Sequence, residues 1–256
     1  MQRRQTSITS KIPALVAILL VIAIWWGLSA LGIVPSYMLP SPYDVVVAFV
    51  TQANIILMHA MVSLQEALYG LLIGIVLAFV IATLMDRFLV LNRALYPVMI
   101  ITQTIPTIAI APMLVLWMGF GMAPKIALVV LTTFFPISIG LLDGYRSVDP
   151  DAIQLMRAMG ASRFQIFKHV KFPSALPHFF TGLKVSASYS VVGAVVAEWL
   201  GGFEGLGVYM TRVRKAYAFD RMFAVIIFIV VISLLLMGLV NVIRKLVMPW
   251  EGMAQK

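Results

Sequence analysis

The sequence contains no cysteine and little charge. Without cysteine there is no disulfide framework, no thiolate metal site and no thiol nucleophile. The three histidines, His59, His169 and His178, fall in separate segments. No two of them share a helix face at metal-ligand spacing, so no metal site is expected. The pattern G-x-x-x-x-G-K-[ST] is missing, so this chain has no P-loop with which to cradle ATP phosphates. Alternating ten-residue strands are also missing, which argues against a β-barrel. Neither paired carboxylates nor a Ser/His/Asp set stands out, and no catalytic residues are assigned.

Charged residues make up 11% of the chain and hydrophobic ones 62%, with a mean hydropathy of +1.01. Soluble domains are typically about 45–50% apolar and about 25% charged. So little polar surface cannot clothe a water-facing particle, and lipid is the natural solvent. Six long apolar runs are present, at about 12–34, 62–85, 97–118, 124–142, 178–200 and 222–247. Each supplies the roughly 20 residues that cross about 30 Å of hydrocarbon as a helix. Runs such as "AVIIFIVVISLLLMGLV" are apolar on every face. The fold class expected is therefore all-α: one polytopic domain over 1–256 with about six transmembrane helices.

The first run follows Arg3, Arg4 and Lys11 as a signal peptide would. Its length and the lack of an A-x-A site favour a retained helix. With the N-terminus inside, 14 of the 19 basic residues fall on the cytoplasmic side. Lys125, Arg212, Arg214, Lys215 and Arg221 fall outside. The positive-inside rule then places both termini in the cytoplasm, with the segment 212–221 against the trend. The net charge of +9 is read as loops meeting anionic headgroups, not as a nucleic-acid surface.

Polar residues inside the runs are few. Lys184 can snorkel, Glu66 lies near an end of the second run, and Glu198 lies near the outer end of the fifth. No relay of carboxylates and histidines spans the membrane, which disfavours an ion-coupled secondary transporter working without an ATPase. The third run holds "TQTIPTIAIAP". Pro106 and Pro112 interrupt it, and Gln103 and Thr104 are candidates to line a pathway, as are Ser190 and Glu198 in the fifth run. The same features fit a kinked helix with back-bonded threonines and close packing through small residues. The glycines Gly201, Gly202, Gly205 and Gly207 follow a helix instead of a strand. They suit a flexible outside turn better than a nucleotide loop. The outside segment 35–61 lacks Lys and Arg, and Ser41 is placed to cap a short helix there.

The longest polar stretch is 143–177, between the fourth and fifth runs. Asp149 followed by Pro150 predicts a helix start. Apolar residues at near-helical spacing predict two short amphipathic helices, hinged at Gly160 and ending at Pro173. Such a pair either lies on the membrane surface or docks into a groove of a soluble partner.

This stretch resembles the cytoplasmic loop of binding-protein-dependent ABC importer permeases, whose pattern is E-A-A, three residues, Gly, nine residues, I-x-L-P. Gly160 matches the glycine, and Val170, Phe172 and Pro173 match the close. Gln154, Leu155 and Met156 stand where E-A-A is usual. The blocks "LPSPYDVV", "PTIAIAPMLVLWMGFG", "RSVDPDAI", "GASRFQIFKHVKFPSALP" and "AEWLGGFEGLGVYM" resemble the subfamily serving sulfonates, taurine, nitrate and thiamine precursors. The resemblance implies a non-catalytic subunit of the bacterial inner membrane, a homodimer with its pathway along the subunit interface. It also implies two partners: an ATPase dimer that binds ATP-Mg and an extracytoplasmic solute-binding protein. Asp149, Pro150, Asp151, Arg157, Gly160, Ala161, Ser162, Arg163 and Pro173 would then form the ATPase-coupling loop, with the two arginines pairing acidic groups of the partner. The ending "GLGVYMTRVRKAYAFDRMFAVI" looks most like the branch for thiamine pyrimidine precursors. Sulfonate, taurine, nitrate and riboflavin are the alternatives.

Overall fold

The computed structural model describes residues 12–252. Arg3, Arg4, Lys11 and Lys256, used above for orientation, lie outside the described residues. The elements in order are α1 (Ile12–Ala30), α2 (Pro42–Thr51), α3 (Ala53–Arg87), α4 (Leu89–Thr104), α5 (Thr107–Met118), α6 (Ala123–Arg146), α7 (Pro150–Ala158), α8 (Arg163–Ile166), a π turn (Phe167–Lys171), α9 (Phe172–Gly201), α10 (Leu206–Lys215) and α11 (Phe219–Val247). A short 3₁₀ turn, Pro249–Gly252, follows. No strand occurs among the described residues, as lipid demands of a chain that must pair every backbone group internally.

Among the described residues five helices are long and apolar enough to cross a bilayer, and the bent pair α4–α5 makes a sixth if counted as one span. The third apolar run, 97–118, is interrupted at Pro106 as anticipated. It breaks at Ile105 and Pro106, where the axis turns by 102°. Proline has no N–H to donate and pushes the preceding residue out of the helical region, and Ile105 is extended at φ −80°, ψ 124°. Pro112 lies inside α5 without breaking it.

Two expectations need correction. Residues 53–61 are helical, because α3 begins at Ala53; only α2, with its capping box of Ser41 and Asp44, is the short helix anticipated there. Nor does the second loop helix end at Pro173. That residue lies just past the π turn, inside a helix that continues through it. The helix from Arg163 passes through the π turn and continues to Gly201.

The chain divides into two compact units, one of residues 12–57 with 209–228 and one of 58–208 with 229–252. The first is organised by aromatic contacts. Trp25 donates Nε1–H to the Pro40 carbonyl at 3.0 Å and its ring lies 5.8 Å from that of Phe223. Val45, Ala48 and Ala224 are buried beside them. The helix α1 fully buries no side chain; Trp25 is its partly buried contact with the unit.

In the second unit α6 and α9 form the centre. Lipid tails are as apolar as leucine, so helices associate through close packing and interhelical hydrogen bonds. Small residues supply both. Ser186 donates to the Thr133 carbonyl at 2.8 Å. At Gly182 and Gly144 the neighbouring backbone comes so near that a side chain would strike Pro136 O and Ala175 Cα, respectively. Ala78, Ala82, Ile137, Leu141, Ala175 and Ala187 complete the buried core with α3.

Gly182→Val should therefore lower stability by about 1–3 kcal/mol, the usual cost of overpacking. Thermal unfolding in detergent reads this. Gly27→Ala, where an added methyl meets nothing within 4 Å, should leave the midpoint where it was.

Candidate functional site

Three features of the second unit hold the chemistry. The first is a buried polar cluster. On α3, His59, Ser63 and Glu66 follow one another at i, i+4 and i+7 and so share a face; all three are buried. Lys125, in the first turn of α6, places its ammonium 2.6 Å from Glu66 Oε1. Glu198, in the last turn of α9, accepts from Ser63 Oγ at 2.5 Å and from the Gly207 N–H at 2.6 Å. Ser63 Oγ in turn accepts the Leu206 N–H at 2.8 Å, and His59 Nδ1 accepts the Gly205 N–H at 3.1 Å.

Three successive N–H groups at the start of α10 are thus captured by side chains of α3 and α9. These are donors that a helix start leaves without intrahelical partners, and a carboxylate there also meets the positive end of the peptide dipoles. The glycine pair is explained by the same contact. Gly205 has φ +118°, and a Cβ there would fall on the Glu198 carboxylate; one at Gly207 would strike the Val195 carbonyl. The turn read from sequence as flexible is pinned by three hydrogen bonds.

The second feature is a cavity of about 320 Å³ at the α4–α5 break. It is lined by Thr102, Gln103, Ile105 and Thr107, by Thr132 of α6 and by Tyr189 and Gly193 of α9, among others. Thr102 and Thr104 donate back to the carbonyls of Met99 and Ile101 at 2.7 and 2.8 Å. Their hydroxyls are spent on the helix end, whereas the Gln103 amide forms no hydrogen bond among the described residues. Of the anticipated pathway residues, Gln103 lines this cavity, and Thr104 and Pro106 belong to the break beside it. Ser190 is buried and bonded to the Ala187 carbonyl at 2.9 Å. Glu198 belongs to the polar cluster instead.

The third feature is the loop. Asp149 accepts the Asp151 N–H at 2.9 Å and starts α7, with Pro150 in its first turn. Gly160, at φ +79°, ends it. The Ala161 N–H reaches back to the Met156 carbonyl at 2.9 Å, and the Gly160 N–H to Arg157 at 3.0 Å. This glycine-terminated stop satisfies carbonyls that the helix end leaves open. Ser162 then caps the next helix in a box with Gln165. On α7, Leu155 and Met159 are 63% and 75% exposed, and Phe164 beyond the turn is 71% exposed. Three large apolar side chains thus stand exposed on a capped, glycine-stopped scaffold.

The sequence marks Glu66 and Glu198 but not Lys125 and Ser63 as their partners, nor His59 as acceptor of the Gly205 N–H. A partial signal is present: His59, Ser63 and Glu66 share one face of a long, largely apolar helix.

A family model described as "Binding-protein-dependent transport system inner membrane component" matches residues 70–249. The chain is 38% identical over 213 residues to a probable ABC transporter permease protein of Haemophilus influenzae, covering 83% of this chain and 87% of that one. It is 35% identical to the formylaminopyrimidine transport permease protein ThiX of Halalkalibacterium halodurans, covering 91% and 93%. It is 30% identical to the riboflavin transport system permease protein RibX of Chloroflexus aurantiacus, covering 93% and 89%. Among solved structures, inward-facing MetNI methionine ABC transporter matches with a TM-score of 0.67 at 18% identity, over 77% of this chain and 98% of that one. That likeness shows the fold.

The ion pair generates a test. Removing one partner of a buried pair costs about 3–5 kcal/mol, because the other charge is stranded. Lys125→Met should lose about that much in detergent unfolding, and adding Glu66→Met should recover most of it. A double-variant loss equal to the sum of the two single losses would show that the two charges are not coupled.

Proposed function

We propose that this chain, which belongs to the binding-protein-dependent transport system inner membrane component family, is the membrane-spanning subunit of an importer for a thiamine pyrimidine precursor. The class, an ABC importer permease of the inner membrane crossed several times by apolar helices, follows from the family and the helices. The solute rests on one observation, the 35% identity to a formylaminopyrimidine permease across 91% of the chain. Permeases for riboflavin, aliphatic sulfonates and taurine are similar at 30%, 30% and 27% identity, so these solutes are the controls.

In this reading the permease is a homodimer with both termini in the cytoplasm. A separate ATPase dimer binds ATP-Mg, and a separate binding protein delivers the solute from outside. The apolar anchors Leu155, Met159 and Phe164 enter a groove of the ATPase, the helix-in-groove mode of recognition. Closure of the ATPase on ATP moves α7 as a rigid body and switches which side the pathway opens to. The cavity at the α4–α5 break supports a place on that pathway, since a broken helix in a membrane persists where it lines a cavity. There Gln103 offers an amide donor and acceptor to a polar solute.

Proteoliposomes holding the permease with its ATPase and binding protein test both levels. Formylaminopyrimidine should stimulate ATP hydrolysis and uptake, while taurine, an alkanesulfonate, nitrate and riboflavin should not. Stimulation by one of those instead replaces the solute. Uptake driven by an ion gradient without ATP replaces the class. Gly160→Val should abolish stimulation with insertion intact. Nothing lies within 4 Å of that position, so the defect comes from the left-handed backbone, which costs a branched residue about 1–2 kcal/mol. Gly160→Asn, which tolerates that conformation, should retain most of the activity. Equal activity in the Val and Asn variants would remove the loop's shape from the mechanism.

A further inference from the structure

We propose that the groove between the end of α3 and the loop helices is a binding site for an anionic phospholipid. A cavity of about 910 Å³ lies there. Arg87 from the last turn of α3, Arg157 from α7 and Arg163 from α8 line it, with Lys171 and Asp86. Lys171 is neutralised by Asp86, whose two carboxylate oxygens both lie 2.8 Å from its ammonium. The three guanidiniums have no carboxylate within ion-pair distance among the described residues. The cavity thus carries three uncompensated positive charges. Guanidinium is the group best shaped to grip a phosphate through paired N–H donors.

A second cavity, of about 280 Å³, lies one turn further along α3. Its walls are wholly apolar and include Val76, Phe79 and Val80 of α3 and Phe172 and Leu176 of α9. On the same helix the exposed side chains Leu77, Val80 and Leu84 are spaced three and four apart and lead to Arg87. A basic pocket at the end of a span, continued by an apolar groove along that span, has the two-part chemistry of a phospholipid: phosphate at the water boundary and acyl chain in the hydrocarbon. Free phosphate has no use for the groove.

An acidic segment of a soluble partner is disfavoured by the faces of α7. Ile153 and Arg157, four residues apart, both line the cavity. Leu155 and Met159, also four apart, stand exposed about 200–240° around the helix from Ile153. Docking through the second pair leaves the first facing the cavity beside α3. Only this exclusion of an acidic segment rests on the proposed docking of α7; the lipid site itself rests on the chain's being membrane-embedded and stands or falls apart from the solute.

Native mass spectrometry of the detergent-purified full chain, supplied with phosphatidylglycerol or phosphatidylcholine, reads the site directly. Phosphatidylglycerol should stay bound under activation that strips phosphatidylcholine. Retention should fall about fivefold for each guanidinium removed, so Arg87→Gln with Arg163→Gln should lose it about twenty-five-fold. The control pair Arg212→Gln and Arg214→Gln, with the same loss of charge, should retain it. Equal retention of the two lipids by the wild type overturns the proposal, as does undiminished phosphatidylglycerol in the Arg87/Arg163 variant or equal loss in the control pair. Inorganic phosphate that raises the thermal midpoint as much as phosphatidylglycerol assigns the site to the free anion and also overturns it. Loss of ATPase copurification in the Arg87/Arg163 variant with lipid retention intact would assign the arginines to a protein partner instead.

Discussion

Lys125 and Glu66 meet 2.6 Å apart with their side chains 6% and 1% exposed, and this contact fixes what lies around it. An ion pair withdrawn from water gains little over a well-packed apolar substitute, yet breaking it is costly. It therefore acts less as a source of stability than as a rule about which arrangements are allowed. Wherever α3 goes, the start of α6 must follow, or two charges are left unpaired in a low-dielectric interior. Glu198 extends the rule to α9, and through the N–H groups of Gly205, Leu206 and Gly207 to the start of α10. Four segments far apart in sequence are held in register by one polar cluster.

Elsewhere the same economy governs where the chain departs from straight helices. Each departure leaves backbone groups open, and each is answered locally. At the α4–α5 break, threonine hydroxyls donate back to the carbonyls of Met99 and Ile101. At the end of α7, the glycine stop pairs the Met156 carbonyl, and Ser162 pairs the next helix start. The α4–α5 break is compatible with lipid only because it borders a cavity walled by α6 and α9.

Composition and periodicity made the fold class legible, because apolar runs of about 20 residues admit one structure in lipid. The caps at Ser41 and Asp149 and the stop at Gly160 were legible too, since each depends on a local pattern of a few residues. What was hidden depended on distance. Nothing in "GFGMAPK" says that Lys125 turns inward to a glutamate 59 residues earlier. The glycines 205 and 207 looked like flexibility, because the carboxylate that excludes a side chain there comes from another helix. Pro173 looked like a terminator, yet the helix runs through it beside a π turn. The sequence pattern cannot tell a proline that ends a helix from one that a π turn accommodates.

That misreading has a mechanical consequence. Had the loop helix stopped at Pro173, motion of α7 would reach the membrane through a flexible joint. Instead a four-residue turn, Met159 to Ser162, links α7 to a helix that runs from Arg163 to Gly201, about 58 Å at 1.5 Å per residue. Its loop-side end carries the π turn, braced by Lys171 on Asp86 and by the Phe167 ring 5.5 Å from that of Tyr145. Its far end carries Glu198 and the pinned turn 205–207. A displacement at Ser162 can thus be delivered to the polar cluster by one continuous element, without a relay of side-chain contacts. The π turn is the softest point on that lever, since its hydrogen bonds are fewer and longer in reach. Under the proposed docking of an ATPase on α7, both ends of alternating access are built into one helix.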